Sequence, residues 1–218
     1  MVVDAIEDAD LLAIGEACSK SVLITGGSGV ALGLPANFAK AGLLASAAGK
    51  SRAVKGRAAI LAGSCSARTL EQIDRHAGPR LAVIPREIID GKVRPEDAVA
   101  FILKDERAPL VYSSAAPDEV ADTQRSLGRE RAAHAIEAFF AETAAALVKR
   151  GVKRLVVAGG ETSGAVVTAL GLKALDIGPE IDPGVPVLYA NDLALALKSG
   201  NFGSVDFFEK ALGLMEGR

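Results

Sequence analysis

Arg154-Leu155-Val156-Val157-Ala158-Gly159-Gly160-Glu161-Thr162-Ser163-Gly164 is the stretch on which the fold turns. Its first half is continuously apolar and does not alternate, as a parallel strand covered on both faces requires. Its second half opens into glycine and hydroxyl residues ahead of a segment of helical period, predicted over Thr162 to Leu170. The same succession recurs along the chain. Strands are expected at Ser21 to Thr25, Ala58 to Ala62, Arg80 to Ile84, Leu110 to Ser113, Arg154 to Ala158 and Val185 to Tyr189. Helices are expected at Asp10 to Cys18, Ala36 to Ala48, Ser66 to His76, Pro95 to Leu103, Arg129 to Arg150, Thr162 to Leu170 and Val205 to Leu212. Ser66 suits an N-cap, and Pro95-Glu96-Asp97 suits a first turn, where proline fits and acidic charge meets the helix dipole. Alternation of this kind predicts an α/β fold, a three-layer α/β/α sandwich with a mostly parallel sheet. In such sheets ligands collect beyond the carboxyl ends of the strands, so the loops there are the place to look for chemistry.

Four loops share one composition. They are Thr25-Gly26-Gly27-Ser28-Gly29, Gly63-Ser64-Cys65-Ser66, Gly159 to Gly164, and Lys198-Ser199-Gly200-Asn201-Phe202-Gly203-Ser204. Glycine lets a backbone approach a ligand closely, and N–H groups at a helix start attract phosphate oxygens, so the expected guest is an anion. Any one such loop is also an ordinary turn; four in one short chain are harder to explain that way.

Two phosphate-binding templates fail. After Gly27 and Gly29 the third glycine of a dinucleotide fingerprint falls at Leu32, and no acid follows about 20 residues on to hold a ribose. This argues against a nicotinamide-dependent oxidoreductase. Gly49-Lys50-Ser51 ends like a P-loop, but the required first glycine is Leu44 and the preceding pattern is helical.

Among ionisable groups, Glu161 lies at a helix start, where it would meet a magnesium ion or a ribose hydroxyl, or simply complement the dipole. Lys198 reads as a phosphate partner or as a solvated loop lysine. Asp182 and Asp192 fall in turns, and His76 and His134 fall on helices with no second ligand at metal spacing, so no metal site is assigned. No serine stands in a Gly-x-Ser-x-Gly elbow, which disfavours hydrolase chemistry.

The 218 residues carry a formal net charge of −2, too little to suggest a nucleic-acid partner. Half the residues are hydrophobic, enough for a core. No apolar run reaches the roughly 18 to 20 residues of a membrane span, and the acidic N-terminus is unlike a signal peptide; no membrane association and a cytoplasmic address are expected. Cys18 and Cys65 make neither a disulfide framework nor a metal pair.

Taken in order, Ala62-Gly63-Ser64-Cys65-Ser66-Ala67-Arg68-Thr69, then Ala158 to Gly164, then Glu180-Ile181-Asp182-Pro183-Gly184-Val185-Pro186, then Leu197-Lys198-Ser199-Gly200-Asn201-Phe202-Gly203 resemble the C-terminal nucleotide-binding domain of the four-carbon acid sugar kinase family. The resemblance runs from Arg57 to the C-terminus. Val3-Asp4-Ala5, Asp10-Leu11 and Ile24 to Gly29 resemble the end of the family's sugar-acid-binding domain. The resemblance implies residues 1–50 as the remnant of that domain with its linker, and 51–218 as the nucleotide-binding domain. It further implies an ATP-dependent kinase, a phosphotransferase of carbohydrate metabolism, acting on the terminal hydroxyl of tetronates or 3-oxo-tetronates. ATP would be held by Ser64, Ser66, Gly159, Gly160, Glu161, Thr162, Gly200 and Gly203, with Mg²⁺ bridging phosphates, and the sugar acid would meet Gly27, Ser28 and Gly29.

The family's N-terminal Asp-Asp-x-Thr-Gly motif, on which its sugar-acid site depends, does not occur in these 218 residues. The catalytic residues are therefore expected in an N-terminal domain, without which the chain is inactive. Its partners would be a nucleotide and, once completed by that domain, a four-carbon acid sugar, with a homo-oligomer or a split-enzyme partner as the forms of assembly. The competing reading is a non-catalytic nucleotide-binding or regulatory module.

Overall fold

The structure is a computed structural model that describes residues 2–44, 51–113 and 128–218. The chain divides into two compact units, Met1–Ala48 and Gly49–Arg218.

The first unit contains helix α1 (Asp8–Ala17), a 3-10 turn (Ser28–Gly33) and helix α2 (Leu34–Lys40). The carboxylate of Asp10 accepts from the N–H groups of Ile6 and Glu7 at 2.8 and 3.0 Å, satisfying donors at the start of α1. Asn37 donates to the carbonyl of Gly15 at 2.6 Å and joins α2 to α1. The tightest contact is glycine on glycine. A Cβ on Gly15 would lie 2.3 Å from the Cα of Gly33, and one on Gly33 would lie 2.6 Å from the carbonyl oxygen of Leu11. Neither backbone can yield as a flexible side chain would. Gly15→Val is therefore expected to cost about 3 kcal/mol, the upper end for overpacking. Hydrogen exchange over residues 8–40 would report it as lost protection there with residues 57–216 unchanged; full protection of α1 in the variant would refute the contact.

In the second unit seven strands form one sheet in the order β2-β3-β1-β4-β7-β6-β5: β1 (Arg57–Ala62), β2 (Arg80–Ala82), β3 (Leu110–Tyr112), β4 (Val152–Ala158), β5 (Asp176–Asp182), β6 (Val185–Ala190) and β7 (Leu193–Lys198). The run from β2 to β7 is parallel, while β6 pairs antiparallel with both β7 and β5. The helices are α3 (Ala67–Arg75), α4 (Pro85–Ile89), α5 (Pro95–Leu103), α6 (Arg129–Lys149), α7 (Gly160–Ala169) and α8 (Phe207–Glu216).

Strand periodicity sorts the core into two layers. Ile60, Ala62, Val156, Ala158, Ala194 and Ala196 face Ile73 of α3 and Phe207, Phe208, Ala211 and Met215 of α8. Ala59, Leu61, Leu155, Val157, Leu193 and Leu195 face Val99 and Ile102 of α5, Phe140 and Leu147 of α6 and Val166 of α7. This is the three-layer sandwich expected from the sequence, with the apolar strands covered on both sides.

Several expectations are corrected. Ser21 to Thr25 is not a strand: Val22 and Leu23 are exposed, and the described residues of the first unit offer no strand to pair with. Leu193–Lys198, β5 and the short α4 are elements that propensity did not reveal. Leu-Ala-Leu-Ala-Leu is made of strong helix formers, and its place between β4 and β6 overrides that preference. Arg80 to Ile84 is a strand only to Ala82. The helix expected over Ala36 to Ala48 runs instead over Leu34–Lys40 and gives way to a turn at Ala41 and Gly42, the latter at φ 68°; residues 45–48 of the expected span, and Lys50, lie outside the described residues.

Candidate functional site: a glycine-lined crevice at the strand ends

The chain leaves β1 through α3 toward one face of the sheet and leaves β4 through α7 toward the other. Because β1 and β4 are parallel neighbours whose helices pack on opposite faces, the crevice at which open α/β sheets bind ligands falls between the N-termini of α3 and α7. The register aligns the third strand with them, since Ala62 pairs with Ala158 and Ala158 with Lys198. Beyond these residues the loops lock together. Gly63 and Ser64 donate their N–H groups to the carbonyl of Ala158 at 2.9 and 3.2 Å, and Gly159 donates to that of Lys198 at 2.8 Å.

Side chains could not be added freely here. A Cβ on Gly63 would fall 2.2 Å from Oγ1 of Thr162, and one on Gly200 would fall 2.4 Å from Oγ of Ser64. Gly159, at φ 129°, holds a conformation that favours glycine and turns the chain into α7. Gly160, the first residue of α7, is different: it is exposed and a Cβ there would meet nothing within 4 Å. Open space lies over a helix N-terminus whose first N–H groups lack intrahelical acceptors.

Ser66 caps α3 as its sequence predicts, its Oγ accepting from the N–H of Thr69 at 3.2 Å. Thr69, fully buried, donates from Oγ1 to the carbonyl of Gly200 at 2.9 Å. Gln72 donates to the carbonyls of Phe202 and Ser204 at 3.2 and 2.8 Å. The loop after β7 is thus tied to α3 by two buried side chains to which sequence reasoning assigned no role.

Lys198 is the largest departure from expectation. It ends strand β7, is 1% exposed, and directs Nζ to Oγ1 of Thr69 at 3.0 Å and the carbonyl of Gly200 at 2.8 Å. The solvated loop lysine is excluded. Burial, with the nearby positive charge of Arg68, pulls its pKa down to about 8.

Of the residues singled out from sequence, Ser64, Ser66, Gly159, Gly160, Thr162 and Gly200 meet at this edge, Glu161 is exposed on the first turn of α7, and Gly203 lies further along the last loop. Because β5 runs parallel to β7, its turn reaches the same edge. There Asp182, Pro183, Asn201, Phe202, Gly203 and Ser204 line a pocket of about 380 Å³. Asp182 accepts from the N–H and hydroxyl of Ser204 at 2.8 and 2.7 Å and pairs with Lys210 at 3.1 Å. Burial alone would raise its carboxyl pKa, but these partners outweigh burial and lower it. Asp192 pairs with Lys153 in the β6–β7 turn. Gly27, Ser28 and Gly29 belong to the first unit, where Ser28 opens the 3-10 turn. His134 is exposed, but His76 is buried between Glu209 and the carbonyl of Ala108, each at 3.0 Å. Cys18 and Cys65 are free thiols. Among the described residues no group of three potential metal ligands occurs, and no helix is long and apolar enough to cross a membrane.

The crevice offers N–H groups, hydroxyls and one buried cation, a donor set suited to phosphate oxygens. Fold and crevice together define an α/β domain with a donor-lined edge at its strand ends. Residues 59–208 match the model of the nucleotide-binding C-terminal domain, and the chain belongs to that family. It is 49% identical to the 3-oxo-tetronate kinase of Cupriavidus necator, over 99% of this chain and 52% of that protein. It is 48% identical to the 3-oxo-tetronate kinase of Pseudomonas savastanoi pv. phaseolicola, over the same shares. A crystal structure of a Haemophilus influenzae protein of the DUF1537 family superposes with a TM-score of 0.77 at 38% identity, over 98% of this chain and 53% of that one. The chain spans about half the length of the curated relatives it matches. The resemblance read from the ordered loops is borne out at the level of family.

Proposed function

We propose that this chain is the ATP-binding part of a kinase that phosphorylates four-carbon acid sugars, 3-oxo-tetronates foremost, on the terminal hydroxyl, and that it acts only with a sugar-acid-binding domain. The observation that carries the nucleotide half is the convergence of the loops after β1, β4 and β7 at the open N-terminus of α7. Ser64, Ser66, Gly159, Gly160, Thr162 and Gly200 would hold the phosphates through N–H groups and hydroxyls, and Glu161 would face a ribose hydroxyl or the magnesium ion. The pocket beside Phe202 and Gly203 offers an apolar wall at the same edge for the rest of the nucleotide. Mg²⁺ bridging the phosphates would neutralise charge that develops during transfer.

The substrate half is read from the relatives' name and from the first unit. That unit leaves Ile6, Val22 and Leu23 almost wholly exposed, side chains that an adjoining sugar-acid-binding domain would cover. Gly27, Ser28 and Gly29 would then stand at the sugar-acid end. In-line transfer needs acceptor and donor gripped together, and a domain that holds ATP alone lacks the orienting groups for the acceptor.

Titrating Mg-ATP into the purified chain tests the first half: saturable heat and a raised melting temperature are expected. No heat and no thermal shift at millimolar nucleotide would refute it. Incubation with ATP and a 3-oxo-tetronate tests the second: no transfer is expected from this chain alone, and turnover would show that it carries its own acceptor site.

A further inference from the structure

We propose that Lys198 supplies the positive charge of the nucleotide cradle, and that its amine takes up a proton when a nucleoside triphosphate binds; the proposal rests on reading the crevice as the nucleotide site.

Lys198 stands where three loops meet. Its carbonyl accepts from Gly159, its backbone is in register with Ala158, and its Nζ reaches the carbonyl of Gly200, whose Cα lies against Ser64 and Ser66. The amine is not needed to hold that loop, since Oγ1 of Thr69 already donates to the same carbonyl at 2.9 Å. A methionine would fill similar space without the cost of burying a charge.

Nor does a counter-ion justify it. Among the described residues no carboxylate lies in ion-pair range of Lys198. Arg68 of α3 is the charge whose field acts on Lys198, and its guanidinium pairs with Glu71 at 2.8 Å; Glu161 of α7 is exposed. The last residues of β1 and β4 are alanines. A polyanion entering the crevice would be the missing partner of a buried cation.

The pH dependence has a definite sign. With its pKa near 8, Lys198 is mostly charged at pH 7 and mostly neutral at pH 8.5. A bound triphosphate favours the ammonium form and raises that pKa. Binding at pH 8.5 therefore draws a proton from solution, and affinity falls as pH rises through 8.

The test is calorimetry of Mg-ATP binding to the whole chain in two buffers of unlike ionisation enthalpy. At pH 8.5 the terminal phosphate, which titrates near pH 6, is already deprotonated and adds nothing of its own. The wild-type heat should differ between buffers by more than about half a proton's worth at pH 8.5 and by little at pH 7, in keeping with an amine that takes a proton from the buffer when an anion binds beside it. Lys198→Met should bind about 10- to 100-fold more weakly at pH 7, as loss of a charge-assisted contact implies, with no proton uptake and a flat pH profile. Lys198→Arg, charged throughout, should also show no uptake. A purely structural lysine would alter melting temperature but not proton count. Binding with buffer-independent heat in the wild type at pH 8.5, or uptake that persists in Lys198→Met, overturns the proposal. Should Lys198→Met fail to fold, the wild-type buffer comparison decides alone. No heat at all from the wild type overturns the nucleotide reading and this inference with it.

Discussion

Gly160→Val is expected to leave the protein folded while removing Mg-ATP binding. Gly160 opens α7, is exposed, and a Cβ there touches nothing of the protein within 4 Å. Valine at the first helical position should cost the fold less than about 1 kcal/mol. The space it fills lies over the N–H groups of the first turn, where phosphate oxygens would sit. Displacing one phosphate forfeits charge-assisted hydrogen bonds worth about 3 kcal/mol, an affinity loss of roughly 100-fold or more. Calorimetry and thermal unfolding on one preparation separate the two effects. A variant that melts like wild type and binds with wild-type affinity would remove this loop from the site.

The largest loss of stability is expected from Phe140→Ala. Phe140 has no exposed surface, lies edge-on to Phe139 at 5.5 Å between centroids, and belongs to the core layer that joins α6 to Leu155 and Val157 of the sheet. Truncating a buried phenylalanine costs about 3 to 5 kcal/mol, because the neighbours only partly collapse into the cavity. That is a large part of the roughly 5 to 15 kcal/mol that holds a domain folded. In a unit of this size the melting temperature should fall by roughly 6 to 20 °C. Nucleotide affinity measured well below the transition should stay unchanged, since Phe140 lies in the core layer on the α6 side of the sheet and none of Ser64, Ser66, Gly159, Gly160, Thr162 and Gly200 lies on α6. A drop of less than about 2 °C would mean that this face of α6 is not packed as described.

Much of the site was legible because glycine-and-hydroxyl loops are local chemistry. The capping role of Ser66 and the turn at Gly159-Gly160 follow from residue types wherever the loops fall. The family resemblance rested on the order of those loops, which a single chain displays in full. The roles of Thr69 and Gln72 were not legible, because their partners lie about 130 residues away along the chain. A mid-helix threonine or glutamine looks like surface until a loop is laid over it.

The sequence by itself determined the class of the protein. Continuous apolar runs alternate with helical periods, which require a sheet covered on both faces, and the long amphipathic stretch from Arg129 marks the helix that covers one of them. What only the tertiary structure decided is which strands are neighbours. Ser21 to Thr25 has strand composition, but the described residues of its unit hold no strand to pair with it. Leu193–Lys198 has helix composition but becomes a central strand, because a slot between β4 and β6 satisfies its backbone groups and buries both its faces. That slot also buries Lys198. Hydrogen-bond partners and burial are relations between distant segments, so no reading of one segment at a time contains them.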